Sequence, residues 1–149
     1  MPAVPDAPRL RLAAAIVVTL VVAAAVIERD GRFLVTRRQK GVHLEGMWEF
    51  PGGKCDAGES LAACLIRELL EELDVDAAVG REIFATTHRY PERSVELHFL
   101  ACQLTGEPRP LLGQEMRWVA REELAALEFP PADAELIAIL AGSPARGTT

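Results

Sequence analysis

The stretch from Gly52 to Val75, GGKCDAGESLAACLIRELLEELDV, constrains this chain more than any other part of it. It gathers Asp56, Glu59, Glu68, Glu71 and Glu72, with a single arginine, Arg67, into a short Gly-containing loop and the helical pattern that follows. On a 3.6-residue helix, side chains three and four apart share a face, so Glu68, Glu71 and Glu72 converge on one patch. Carboxylates gathered in this way repel one another without a counter-charge. Hard divalent cations such as Mg²⁺ want that kind of oxygen cluster, usually together with substrate phosphates. A solvated Glu-rich helix face is the plainer reading, and it does not explain why the cluster follows directly on a Gly-rich loop.

The remaining composition narrows the setting. At 149 residues the chain is sized for one domain with a real core. A net charge of −6 argues against a nucleic-acid polymer as partner, since such surfaces are basic. A small phosphorylated ligand stays compatible, because a metal ion and a few local cations invert the field inside a pocket. Cys55, Cys64 and Cys102 form no C-x-x-C pair and read as reduced thiols of a cytoplasmic protein, with Cys64 a small buried hydrophobe in the helix. His43, His88 and His98 have no ligand spacing among themselves.

Along the chain, residues 1–11 carry three prolines and no periodicity, and read as a disordered leader. The apolar run from Leu12 to Ile27 follows Arg9 and Arg11 as in a signal peptide, but falls short of the about 20 residues a membrane-spanning helix needs. Its second half precedes an Asp30-Gly31 turn and a second apolar segment, so Val17–Ile27 reads as a core strand of a hairpin. A helix is predicted from about Ser60, its N-cap, to Leu73, with Leu61, Leu65 and Leu69 on the buried stripe. Ala77–Thr87 and Ser94–Leu104 read as strands with His88–Arg93 as the turn between them. Met116–Ala120 reads as a short strand, Arg121–Leu127 as a short helix and Ala134–Ala141 as a last helix after the Phe129-Pro130-Pro131 hinge. The expected organisation is a disordered leader 1–11, one α/β (α+β) domain over 12–142 and a disordered tail 143–149.

These residues resemble the signature of the Nudix hydrolases, G-x5-E-x7-R-E-U-x-E-E-x-G-U with U a bulky aliphatic residue. Gly53, Glu59, Arg67, Glu68, Leu69, Glu71, Glu72 and Val75 match in register, and Asp74 stands where the last Gly is usual. Asp is among the few non-Gly residues that tolerate left-handed backbone, so the helix can still end there. WEFPGGK before the signature, the YPER turn, the Trp118 strand and the FPPAD segment extend the likeness to the MutT-type branch, from about Val17 to Leu140.

The resemblance implies an α/β/α sandwich with a mixed sheet between helices. It also implies Mg²⁺-dependent hydrolysis (Mn²⁺ as an alternative) of nucleoside triphosphates to monophosphate and pyrophosphate. It implies that Gly52, through its carbonyl, and Glu68, Glu71 and Glu72 hold the metal, with Arg67 and Glu59 completing the catalytic set. Arg67 more readily orients carboxylates than touches substrate, offering its fork to Glu59 and an i,i+4 pair to Glu71. Gly52, Gly53 and Lys54 would meet phosphate, while Arg38, Phe50, Arg93 and Asp133 match base- or sugar-contacting positions.

An oxidised purine such as 8-oxo-dGTP is the expected substrate, with CTP or 5-methyl-dCTP as the alternative and a non-catalytic nucleotide sensor as a third reading. At the Asp133 position, relatives selective for 8-oxoguanine often carry Asn and relatives acting on CTP carry Asp; Asp133 is equally placed to cap the last helix. One position departs from the branch: the acidic residue usual six places before the strand Trp is Leu112, with Glu115 nearby. Phe50 serves equally as a core residue, and Lys54 as a solvated one. The expected assembly is a monomer or weak dimer, cytoplasmic and without a membrane partner.

Overall fold

The computed structural model describes residues 18–142. The leader, the first residues of the apolar run and the tail 143–149 lie outside the described residues. β1 (Val18–Arg29) and β2 (Arg32–Arg37) form the expected hairpin, and Asp30 and Gly31 both take positive φ, at 53° and 76°. Two consecutive left-handed residues match the right-handed twist of the flanking strands, which is why an Asp-Gly pair sits there. β3 (Trp48–Glu49), β4 (Gly52–Lys54) and helix α1 (Leu61–Leu73) follow, then β5 (Asp76–Arg89), β6 (Arg93–Thr105) and β7 (Met116–Ala120). Two 3-10 helices, Arg121–Ala126 and Pro131–Asp133, lead into α2 (Ala134–Gly142).

The strands form a mixed sheet in the order β3-β2-β1-β6-β5, with β4 on β1 and β7 on β2. β1 and β6 run parallel, and the other pairs are antiparallel. Because side chains alternate along a strand, β1 feeds two cores at once. Ala23, Ala25 and Ile27 meet Cys64, Leu65, Leu69 and Leu73 of α1 on one face. Ala24 and Val26 meet Phe33, Val35 and Phe99, with Leu136 and Leu140 of α2, on the other. This is the α/β/α sandwich with a mixed sheet between helices. Leu65, Leu69 and Leu73 are fully buried, and each such burial stabilises by about 1.5–3 kcal/mol.

Several local expectations shift. The turn between the long strands is shorter than expected: His88 and Arg89 finish β5, Arg93 opens β6, and Tyr90 N–H donates to the Arg93 carbonyl at 2.8 Å. Leu61 is only half-buried, though packed against the same core, Leu73 joins the stripe, and Cys64 is buried on the helix as expected. The segment after β7 closes as a 3-10 helix. The thiol reading is corrected for two cysteines: Cys55 and Cys64 are joined by a disulfide, while Cys102 is free and buried. The loop between them doubles back at the start of α1 and brings their Cα atoms to 5.2 Å. Among the described residues no helix is long and apolar enough to cross a membrane.

Candidate active site

The loop that opens the site is shaped by close backbone approach. β4 pairs antiparallel with β1, Ala24 opposite Gly52 and Ala23 opposite Gly53. Gly52 has φ of 157°, and a Cβ there would overlap the Ala23 carbonyl oxygen. A Cβ on Gly53 would overlap the Glu68 carboxylate, so the absent side chain is what lets that carboxylate rest against the strand. Two glycines facing alanines are thus a steric requirement.

Helix α1 is fixed at both ends. The Ser60 side chain accepts from Ala63 N–H at 3.1 Å, and Asp74 takes the left-handed conformation with φ 53° and ψ 44°. Its last carbonyls, which an isolated helix leaves open, are satisfied from outside. Asp74 N–H donates to Leu70, Arg109 N–H to Leu73 and Leu111 N–H to Glu72, and the Gln114 side-chain amide also donates to Glu72. The loop before β7 therefore clasps the end of the carboxylate-bearing helix.

Arg67 is the hub of the cluster. Its Nε and Nη2 donate to the two carboxylate oxygens of Glu59 at 2.8 and 2.9 Å. Its Nη1 donates to Glu68 at 2.9 Å and Glu71 at 3.1 Å, and Nη2 also reaches the Lys54 carbonyl at 3.1 Å. A bidentate fork of this kind fixes direction as well as charge. Glu59 in turn accepts from Asp56 N–H at 2.8 Å. The Arg67 bond, followed by that backbone bond, holds the Glu59 carboxyl well below the usual range, and Glu59 chiefly pushes the Arg67 pKa further up.

Glu72 behaves in the opposite way. Burial first, then the hydrogen bond and charge of Glu68, then Glu49 and Glu71, push its carboxyl up to about 9. Without a cation this group is held toward its protonated form at neutral pH. Buried acidic oxygens whose ionisation is opposed both by burial and by neighbouring carboxylates are a donor set a hard divalent ion fits, because the ion supplies the missing positive charge. The residues present therefore fit such an ion.

Glu68 and Glu72 open into a cavity of about 730 Å³. Gly52, Gly53, Lys54, Phe50, Arg38, Arg93 and Asp133 also line it, so most of the expected site residues come together. Glu59, Arg67 and Glu71 do not line it; Arg67 ties Glu59 and Glu71 to the lining Glu68. Phe50 is both wall and core, packed edge-on to Phe99 at 6.1 Å and stacked on Phe129 at 5.3 Å. Asp133 is only 6 % exposed, and burial, then the Glu49 charge, push its carboxyl up to about 7.

Leu112 is exposed and lies off the cavity, with its carbonyl accepting from Gln39. Glu115 does not take its place, because its carboxylate is held by Arg37 at 3.3 Å and it is not among the lining residues.

Glu49 is one of several lining residues that the sequence did not single out, and it is the acidic one. It accepts from Arg38 Nη1 at 2.8 Å, burial raises its carboxyl pKa against the opposing pull of Arg38, and its charge acts on both Glu72 and Asp133. Its alternation with buried Trp48 and Phe50 was the available signal: the strand turns those two into the core and Glu49 the other way.

Comparison with known proteins agrees with this geometry. The NUDIX domain family matches residues 22–138. An 8-oxo-dGTP diphosphatase of Haemophilus influenzae is 40% identical over 119 residues, 78% of this chain and 87% of the relative. A CTP pyrophosphohydrolase of Escherichia coli is 37% identical over 116 residues, 77% of this chain and 84% of the relative. The solution structure of the E. coli ORF135 protein superposes with a TM-score of 0.75 at 34% identity, covering 87% of this chain and 96% of that one. With the signature in register, the carboxylates over Gly53 and the sandwich fold, the chain belongs to the Nudix hydrolase family, in its MutT-like part.

Proposed function

We propose that this chain hydrolyses nucleoside triphosphates to nucleoside monophosphate and pyrophosphate with Mg²⁺, Mn²⁺ substituting, and that its substrate is an oxidised purine nucleotide such as 8-oxo-dGTP. One observation carries the reading: a single cavity is lined both by the Glu68 and Glu72 carboxylates and by Asp133, with Glu49 acting on each side. Its volume suits a nucleotide-sized ligand. The similarity to the Haemophilus 8-oxo-dGTP diphosphatase supports the choice of base.

A divalent ion supplies charge neutralisation at the phosphates and activation of water. Glu68, Glu71, Glu72 and the Gly52 carbonyl would hold it. Arg67 and Glu59 keep the carboxylates aimed, and Lys54 meets phosphate as a point charge. Arg38, Phe50, Arg93 and Asp133 take the nucleoside. Attack falls at the β-phosphorus, and the protein contributes mainly positioning and electrostatic preorganisation. The chain works in the cytoplasm as a monomer or weak dimer, without nucleic acid polymer or membrane.

Asp133 gives the second reading its foothold. An ionised carboxylate only accepts, which suits the exocyclic amine of cytosine, and a CTP pyrophosphohydrolase is among the relatives. Pyrophosphate release from a nucleotide panel decides between the two. Glu72→Gln is expected to lower release at least about 100-fold for each substrate turned over. Unchanged release would sink the metal-site assignment. A CTP preference above about tenfold in kcat/KM, about 1.4 kcal/mol, would replace the oxidised purine. Release from none of the nucleotides would return the chain to the sensor reading.

A further inference from the structure

We propose that Cys55 and Cys64 form a reversible thiol–disulfide site that fastens the catalytic loop to the catalytic helix and so couples the carboxylate cluster to hydroperoxide. The two sulfurs are bonded across a loop of known content. Cys55 lies between Lys54, whose carbonyl accepts from Arg67, and Asp56, whose N–H donates to Glu59. Cys64 lies on α1, three residues before Arg67 and four before Glu68. The bond thus closes the segment that carries Glu59 onto the helix that carries Glu68, Glu71 and Glu72.

Exposure assigns the order of events. Cys55 is half-buried and meets the oxidant, whereas Cys64 is fully buried beside it. The Cys55 thiol takes one oxygen from a hydroperoxide and becomes a sulfenic acid, and the peroxide leaves as its alcohol, or as water from hydrogen peroxide. The Cys64 sulfur then attacks the sulfenic sulfur; the S–O bond breaks, the S–S bond forms and water leaves. Two electrons pass from the sulfur pair to the O–O bond. Exchange with a dithiol reverses the change. Because a reducing compartment keeps most thiols reduced, the site rests open there and closes under peroxide, the condition that also oxidises purine nucleotides. That last link rests on the proposed function; the bond itself does not.

The test compares wild type, Cys55→Ser and Cys102→Ala, each reduced with dithiothreitol and then treated with hydrogen peroxide. In wild type and Cys102→Ala, intact mass is expected to fall by two hydrogens, with a peptide linking 55 to 64 that dithiothreitol releases. Oxidation is expected to raise Tm by about 5–10 °C, the effect of closing a short loop in a domain of this size. It is also expected to lower the Mg²⁺ concentration for half-maximal pyrophosphate release by up to about tenfold, with kcat changed less. Cys55→Ser should show none of these.

A link through Cys102, no link at all, or a link without change in Tm and Mg²⁺ response would overturn the proposal. So would stoichiometric zinc in the reduced protein that blocks oxidation, since Cys55, Glu59 and Cys64 present ligand atoms within 4.8 Å of one another. If no nucleotide is hydrolysed, the functional reading fails while mass and Tm still decide the redox site.

Discussion

The two sides of the cavity are built on opposite plans. The carboxylate side is one continuous stretch: the Arg67 hydrogen bonds all end on residues between Lys54 and Glu71. The facing side is assembled from Arg38 just after β2, Glu49 in β3 and Asp133 before α2. The first side is saturated with charge-assisted bonds. On the second, Arg38 compensates Glu49, while burial and the Glu49 charge both work against ionising Asp133. On the proposed function, the locally specified side sets how the chain cuts, and the side assembled by the tertiary fold sets what it accepts. If so, substitutions on the first side should affect all substrates alike, and those on the second should change their ratio.

The largest effect in this comparison belongs to Gly53→Ala. The added Cβ meets the far end of a flexible side chain, the Glu68 carboxylate, rather than backbone. The fold can therefore survive while the carboxylate moves. Misplacement by about 1 Å costs on the order of 100-fold, so kcat/KM should fall by about that factor on every nucleotide with Tm nearly unchanged. A fall confined to one nucleotide would break the division of labour.

Arg67→Lys comes next. Lysine keeps the charge and loses the fork, so Glu59, Glu68 and Glu71 are no longer held by one rigid plane. An equal loss of about 10–100-fold across the panel is expected, with a raised Mg²⁺ requirement. Titrating Mg²⁺ at fixed nucleotide checks it, and rescue of rate by excess Mg²⁺ would place the defect in metal affinity.

The same division explains what could be read from the chain beforehand. The hairpin, the helix with its Ser60 cap and the left-handed Asp74 follow from residues next to one another, and local chemistry dictates them. The Cys55–Cys64 bond was hidden because a spacing of nine says nothing until the loop reverses direction. Glu49 was hidden for a related reason. A glutamate on a two-residue strand looks like a surface residue, and only the approach of Asp133 from the far end of the chain makes it a pocket wall. The departure at Leu112 was visible, but not that Arg37 holds Glu115 away from the cavity.

Asp133→Asn tests the assembled side. With its pKa pushed up to about 7 from an ordinary 3.8, Asp133 is largely neutral below neutrality and ionised above it. A neutral carboxyl donates to a guanine O6, whereas the ionised form only accepts, as cytosine N4 requires. The ratio of 8-oxo-dGTP to CTP turnover should therefore fall as pH rises through about 7, by about tenfold, and Asn should remove the dependence. The stability sign follows from the raised folded pKa: the contribution is full below 3.8 and is lost as pH rises through about 7. Wild type should lose Tm relative to Asp133→Asn over that interval. Parallel pH profiles for the two proteins would remove Asp133 from base reading.

The smallest effect, Asp74→Gly, separates holding the helix from performing the chemistry. Glycine would relieve a left-handed residue whose strain is about 1–2 kcal/mol, but would add freedom to the unfolded chain and lose the Arg109 ion pair. An exposed pair of this kind contributes about 0–1 kcal/mol, so the terms nearly cancel and Tm should move by less than about 3 °C. Activity should not change, because the clasp of Leu73 and Glu72 by the Arg109 and Leu111 backbone N–H groups and the Gln114 side-chain amide survives the substitution. A drop in kcat/KM with Tm intact would mean that the Asp74–Arg109 pair, and through it the loop carrying Leu112, helps aim Glu72. The carboxylate side would then extend beyond its own stretch into the loop around Leu112, where this chain departs from the family a second time.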